Sequence, residues 1–304
     1  MSKDKPNEFS FSSTLKSLDT EEWLDLHFTR PLGYMWAKFF NRLGIHPNVV
    51  TIISIFLGAA AGALFYPENI WLNLLGVLLL VWANIYDSCD GQLARLSGKK
   101  TRLGRVLDGF AGDVWFFSIY VFISLRLTPT WGIWIWILCS VAGFIFHGKQ
   151  AQLADYYRNI HLFFLKGEGG SELDNSTKLT KEYQSISWNE DFIWKLFLYF
   201  YRNYTRSQEQ MTPQFQGLYA RLKAQYPDGN LPQELCERFC EGSRPLMKWT
   251  NILTFNTRAI VLYLSVLVGQ PWTFPAFEIS ILTIIFIYMR LKHERLCREI
   301  ANSL

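Results

Sequence analysis

Four aspartates stand out by type and spacing. The run Asp87-Ser-Cys-Asp90-Gly91-Gln-Leu-Ala94-Arg95 is followed, after eight residues, by Gly104-Arg-Val-Leu-Asp108-Gly-Phe-Ala-Gly112-Asp113. Asp87 and Asp90 are three positions apart, so on a helix they share a face. An apolar run at 70–86 ends in the first pair and another at 114–125 follows the second, so an antiparallel hairpin brings both groups to a similar depth. Carboxylates beside hydrocarbon are expensive, about 2.5–3.5 kcal/mol each at a helix centre on insertion scales, and several together also repel one another. A cation has to compensate. With no His or Cys in the set, the donors are hard oxygens, which predicts Mg²⁺ or Mn²⁺. Two such ions about 3.5–4 Å apart suit a diphosphate and the charge on a leaving phosphate. Gly91 and Ala94 are small enough to let a ligand approach the backbone, and Arg95, Lys99, Lys100, Arg102 and Arg105 suit phosphate. Taken alone, the basic cluster reads equally well as a topology signal; beside the aspartates, phosphate chemistry is the better reading.

The elements that must position these groups follow from composition. Of 304 residues, 50% are hydrophobic and only 18% charged, against about 25% charged in an ordinary soluble domain. This excludes a disordered chain, a disulfide scaffold and a simple soluble domain. Charge-poor runs lie at 49–65, 70–86, 114–125 (extended back to Gly104), 131–146, 249–269 around Arg258, and 271–289 around Glu278. A helix needs roughly 20 mostly apolar residues to cross a ~30 Å hydrocarbon core. The expected fold is therefore all-α, a six-span transmembrane bundle. Its short outer loops would be 67–69, 126–130 and Gln270, and every lysine and arginine except Arg126 then falls on the opposite side. The positive-inside rule makes this a multi-pass membrane protein with both termini and the aspartates on the cytoplasmic side. Trp71, Trp131 and Trp272 open spans on the outer side, as an aromatic belt would.

Four parts are expected. Residues 1–46 form a cytoplasmic N-terminal segment without a secretory signal. Its first 20 residues are polar and poorly ordered, and 21–45 are interfacial amphipathic helices broken near 31–33. Residues 47–165 hold spans one to four and the chemistry, 166–248 a helical cytoplasmic insert, and 249–304 the last two spans and the tail. Gly58 and Gly62 read as ordinary close helix packing. Cys236 and Cys240 have no histidine nearby, so no zinc site is expected there.

The motif D-x2-D-G-x2-A-R, about eight residues, then G-x3-D-x3-D, is the signature of the CDP-alcohol phosphotransferases (CDP-alcohol phosphatidyltransferases). This chain resembles that family at Asp87, Asp90, Gly91, Ala94, Arg95, Gly104 and Asp108, and Pro47-Asn48-Val-Val-Thr51 is similar to its P-N-x-x-T. The resemblance covers roughly 28–160 and not the insert. It implies two divalent ions held by Asp87, Asp90, Asp108 and Asp113, and CDP contacts from Asn48, Gly91, Ala94, Arg95, Thr101 and Gly104. It further implies an acceptor hydroxyl deprotonated by Asp113, with Asp108 as its catalytic partner, attacking the donor's β-phosphorus and releasing CMP. The family precedent is a homodimer.

One position departs. The last aspartate of the signature should stand where this chain has Gly112, and Asp113 is one residue further on. On a regular helix that shift turns a side chain by about 100°. A π-bulge near 109–112 would restore its aim; otherwise three aspartates hold the metals and another group or water takes the proton. For the acceptor, Lys149, Arg158 and Arg258 lie near cytoplasmic span ends and would suit an anionic alcohol, as in the family's inositol-phosphate branch, or serve only to anchor the spans. The expected reaction is phosphatidyl transfer from CDP-diacylglycerol to a polar alcohol such as inositol or inositol phosphate. A phosphatidylglycerophosphate synthase, or a member using another, soluble CDP-alcohol, is the alternative. A transporter and an inactive scaffold are remoter readings. Membrane lipids are expected partners and nucleic acid is not.

Overall fold

The computed structural model describes residues 17–304, the side chain of Arg102 excepted; residues 1–16, part of the stretch expected to be poorly ordered, lie outside the described residues. The described chain is helical throughout, without strands. Its helices are α1 (Arg30–Arg42), α2 (Pro47–Leu64), α3 (Ile70–Ser97), α4 (Arg102–Trp131), α5 (Ile133–Ser140), α6 (Gly148–Lys166), α7 (Ser176–Ser185), α8 (Phe192–Met211), α9 (Pro213–Gln225), α10 (Gln233–Ile252), α11 (Phe255–Leu267), α12 (Thr273–Phe277) and α13 (Thr283–Ala301). They fall into two compact units, residues 1–139 with 263–272, and residues 140–262 with 273–304.

Five helical stretches are long and apolar enough to cross a membrane: Pro47–Leu64, Ile70–Ser97, Leu103–Trp131, Ile133–Lys166 and Thr273–Ala301. The sixth expected crossing, 249–269, is not one continuous helix. The chain leaves helical geometry at Leu253 and Thr254, and α11 has only 13 residues, about 20 Å of rise. The expected break near 31–33 is also absent. A π-helical turn at Asp25–Thr29 runs directly into α1, whose Pro31 stands in the first turn. Proline lacks an amide hydrogen and crowds the carbonyl four residues back; that residue, His27, lies in the wider π turn, so the helix continues.

In the first unit, α2 starts on Pro47, and the His46 ring accepts a hydrogen bond from the Asn48 amide at 3.2 Å. Asn69 caps α3 by accepting from the amides of Trp71 and Leu72, and Thr101 caps α4 by accepting from Gly104 at 2.9 Å. The turn between α3 and α4 begins at Gly98, whose φ of 69° is the left-handed end that favours glycine. Close approach of α2 and α4 depends on two small residues: a Cβ on Gly58 would stand 2.1 Å from Trp115, and one on Gly62 2.4 Å from Ser118 Oγ. The Ser118 hydroxyl then donates to the Ala59 carbonyl at 2.8 Å. Arg126 donates to the Phe65 carbonyl and to Asn73 Oδ1, each at 3.0 Å. Those contacts satisfy the carbonyl that α2 leaves at its end.

The second unit is organised on α6 and α13. Its core includes Tyr157, Phe164, Phe215, Leu218, Phe239, Met289 and Ile300, so α9 and α10 share one apolar core with α6 and α13. Arg258, at 1% exposure, and Glu278, at 0%, form an ion pair inside this unit. Glu278 also accepts from the His147 ring at 3.0 Å, and Arg258 donates to Gln150 Oε1 at 2.8 Å and to the Leu253 carbonyl at 3.2 Å. Two π-helical turns, Val141–His147 and Glu278–Leu282, carry the histidine and the glutamate. A widened turn re-aims side chains that a regular helix would direct elsewhere.

Candidate metal and phosphate site

Asp87 and Asp90 stand near the end of α3, and Asp108 stands on the second turn of α4, across the short turn from them. The three carboxylates each present one oxygen, and these oxygens lie within 4.8 Å of one another. Asp90 is buried at 4% exposure, Asp87 is half-buried and Asp108 is exposed. Thr51, on the second turn of α2, donates its hydroxyl to Asp90 Oδ2. One side of the cluster therefore closes on protein, while Asp108 is exposed.

Three all-oxygen donors converging at this separation fit a hard divalent cation. The same grouping without a cation would leave three like charges together at the edge of an apolar bundle, which Coulomb repulsion opposes. Among the described residues, Asp87, Asp90 and Asp108 form a group able to hold a metal. Asp113 does not join them. Helix α4 is α-helix from Arg102 to Trp131, without the π-bulge near 109–112 that would have restored the aim of Asp113. Five residues beyond Asp108 a side chain points about 140° away around a regular helix. At Gly112, the position that would face the cluster, a Cβ would meet nothing within 4 Å.

Three of the residues expected at CDP are drawn together at the start of α4. Thr101 donates to Asn48 Oδ1 at 3.2 Å and accepts from Gly104 at 2.9 Å. A Cβ on Gly104 would lie 2.8 Å from Asn48 Oδ1, so any larger residue there would displace the Asn48 side chain. On α3, the Arg95 guanidinium lies over Gly91, where a Cβ would be 3.6 Å from Nη1; Ala94 is half-buried one residue before it. Lys99, Lys100 and Arg105 are exposed.

The three basic residues expected at the acceptor belong to the second unit. Lys149 is exposed, Arg158 donates twice to Asn251 Oδ1 at 2.7 and 3.1 Å, and Arg258 is enclosed by Glu278, His147 and Gln150. Glu278 had no expected role beyond interrupting an apolar run. The available signal was the pairing of one internal acid and one internal base in the last two apolar stretches, since a lone charge in such a place needs a partner.

Comparison with known proteins bears on residues around this cluster. Residues 44–163 match the family model described as CDP-alcohol phosphatidyltransferase. An archaetidylinositol phosphate synthase of Pyrococcus horikoshii is 36% identical over 97 residues, 32% of this chain and 50% of that protein. A phosphatidylinositol phosphate synthase of Streptomyces avermitilis is 38% identical over 84 residues, 27% of this chain and 32% of that protein. A bifunctional IPC transferase and DIPP synthase of Aquifex aeolicus is 28% identical over 117 residues, 38% of this chain and 24% of that protein. The aligned part spans half or less of each of these relatives.

Proposed function

From the premise that residues 44–163 are a CDP-alcohol phosphatidyltransferase domain, we propose that this membrane protein transfers a substituted phosphate from a CDP-linked donor to the hydroxyl of a polar alcohol, releasing CMP. The observation that carries the reading is the convergence of Asp87, Asp90 and Asp108 from α3 and α4. We assign these three to Mg²⁺ or Mn²⁺; when bound, the metal neutralises the donor's diphosphate and the charge that develops on the departing CMP. Thr51 holds the Asp90 carboxylate in place, and Asn48, Thr101 and Gly104 form a small corner beside the turn for the nucleotide. Arg95, over Gly91, faces the phosphates. With Asp113 turned aside by a regular helix, the acceptor's proton passes to water or to the exposed Asp108.

CDP-diacylglycerol is the donor that best explains a site at the end of membrane-spanning helices, since its chains remain in lipid while its head meets a soluble alcohol. An inositol phosphate is the acceptor we favour, because two of the relatives bear inositol phosphate synthase names. We assign its phosphate to Lys149 and Arg158 rather than to Arg258, whose guanidinium is already surrounded. The stretch 249–269 makes a sixth crossing in two helical pieces, with the charge of its Arg258 neutralised by Glu278 of the following helical stretch. An even number of crossings returns both termini to the cytoplasmic side, where the lysines and arginines concentrate. The exposed Trp23, Met35, Phe39 and Leu43 of the N-terminal segment then rest on lipid headgroups, and 166–248 is cytoplasmic. A homodimer completes the assignment.

The test is release of CMP from CDP-diacylglycerol by the purified chain with Mn²⁺, offered inositol 1-phosphate, inositol and glycerol 3-phosphate in turn. Release with inositol 1-phosphate alone supports the full assignment. Release with glycerol 3-phosphate alone makes it a phosphatidylglycerophosphate synthase, and release only from a soluble CDP-alcohol changes the donor. No release from any donor removes the reading.

A further inference from the structure

The hairpin of α7 and α8 lies outside the matched residues 44–163. Helix α8 is two-faced. Trp194, Leu198, Thr205 and Gln208 recur at i, i+4, i+11 and i+14 and are buried. Opposite them Phe192, Ile193, Leu196, Tyr199 and Phe200 form one stripe, each between 37% and 60% exposed. Trp188 continues it, its ring centroid 5.6 Å from that of Phe192. The same face turns polar at Asn203, Ser207 and Gln210, so the apolar stripe covers only the first half of the helix.

Cations flank the stripe. The Arg202 guanidinium lies 3.9 Å from the Tyr183 ring centroid and 5.3 Å from that of Tyr199, and Lys195 Nζ lies 4.8 and 5.2 Å from those of Tyr183 and Trp188. Lys178, Lys181 and Arg206 are exposed. Aromatic rings edged by basic side chains suit a lipid headgroup layer, which satisfies an apolar body and a charged rim together. The acids at the tip are engaged with backbone: Asp191 accepts from the Trp194 amide and Glu190 from the Ser187 amide, each at 3.0 Å.

The placement of α8 identifies the surface. Arg290 of α13 donates to the carbonyl of Met211, the last residue of α8, at 2.8 Å. Arg290 directly follows the apolar run that ends at Met289, and Ile284, Ile287 and Leu291 around it are between 50% and 67% exposed. Gln208 donates to the Gln152 carbonyl at 2.9 Å and Tyr204 to Asp155 at 3.3 Å. Those residues of α6 stand six and nine positions beyond Phe146, where the apolar run 131–146 ends, about 9 and 13 Å along a helix. Helix α8 is therefore fastened to two membrane-crossing stretches close to the hydrocarbon edge, within about the width of one helix lying on it.

We propose that the α7–α8 hairpin is a membrane anchor: the stripe from Trp188 to Phe200 lies in the interfacial layer of the bilayer that this chain itself crosses, on the side where α6 leaves it. The anchor goes beyond the transferase reading, since its residues take no part in the chemistry assigned above.

Nitroxide labels read the contact in the full chain, reconstituted without substrate into vesicles of phosphatidylcholine and phosphatidylglycerol. Four cysteines are buried and Cys236 is partly exposed, so Cys236→Ser supplies the background. Ile193→Cys, Leu196→Cys and Phe200→Cys place three labels on the stripe, each an independent report. Ile284→Cys, at an exposed position of a crossing helix, sets the lipid limit. Gln233→Cys sets the water limit, 16 residues ahead of the apolar run at 249–269, about 24 Å along a helix. The ratio of collisions with oxygen, which dissolves in lipid, to collisions with a water-soluble nickel chelate should be several-fold higher at all three stripe labels than at Gln233→Cys. Stripe labels that match Gln233→Cys overturn the proposal, because the face is then in water. Labels shielded from both reagents overturn it too, since protein then covers the face. Spin–spin broadening that disappears on dilution with unlabelled chain would identify that protein as a second copy. If Ile284→Cys also matches Gln233→Cys, α13 does not cross and the anchor falls with it. None of these outcomes depends on CMP release, so the anchor and the transferase reading can fail separately.

Discussion

Thr51 donates its hydroxyl to the Asp90 carboxylate from a position 39 residues earlier in the chain. The bond links α2 to α3 at the level of the acidic cluster, and Thr51 Oγ1 also reaches the Pro47 carbonyl at 3.3 Å. A buried carboxylate with a fixed donor keeps one orientation. Thr51→Val retains the shape and removes the donor, at about 1.5–3 kcal/mol for a hydrogen bond to a charged group. We expect at least a tenfold loss of CMP release and weaker Mn²⁺ binding, with helix content unchanged by circular dichroism. Unaltered Mn²⁺ affinity would show that Asp90 does not depend on Thr51.

Removal of any one carboxylate of the cluster leaves too few ligands for a hard cation. Asp87→Asn, Asp90→Asn and Asp108→Asn should each reduce CMP release to background. EDTA should do the same to wild type, and added Mn²⁺ should restore wild type but none of the variants. Full activity in EDTA would exclude a metal-dependent reaction.

At Gly112 the helix offers an empty position aimed at the cluster. Gly112→Asp places a carboxylate four residues after Asp108, one turn on, where the added Cβ meets nothing within 4 Å. Replacing a helical glycine also favours the helix by a few tenths of a kcal/mol. We expect Gly112→Asp to fold normally and to bind Mn²⁺ several-fold more tightly, measured by competition with a chelating dye. Asp113→Asn should change transfer by less than about threefold, in keeping with a side chain turned about 140° from Asp108. A large loss from Asp113→Asn would return the proton-accepting role to that residue.

The Arg258–Glu278 pair holds together the helices of the second unit. Breaking a buried ion pair by removing one partner costs about 3–5 kcal/mol, while replacing both with apolar residues is often neutral. Glu278→Ala and Arg258→Ala should each lower the thermal midpoint in detergent markedly. The double variant Arg258→Met with Glu278→Leu should recover most of the loss. A double variant as unstable as either single one would point to a role for the charges beyond pairing.

The motif around Asp87, Asp90 and Asp108, the helical class and most of the crossings were legible in the sequence because they depend on local rules. Acid spacing fixes which side chains share a helix face, and an uncharged run of sufficient length has few alternatives to crossing a membrane. Gly58 and Gly62 also read correctly as close packing, although their partners Trp115 and Ser118 could not be named. The expected span at 249–269 is interrupted at Leu253 and Thr254, a local break that a charge-poor composition does not register. The sequence also identifies a carboxylate one residue out of place and leaves two outcomes open, because helix regularity, which decides between them, depends on how all of α4 packs. Arg30 gave no motif at all. The Arg30 carbonyl meets the Gln92 side chain only when the N-terminal segment crosses α3, a contact between residues 62 positions apart that no local pattern encodes. The same holds for Arg258 and Glu278, each of which reads as an isolated charge in an apolar run until folding brings them together. Sequence thus determined the chemistry available at each helix end, since that depends on residue type and spacing, whereas tertiary structure decided which charges neutralise one another, since Coulomb energy depends on distance in space.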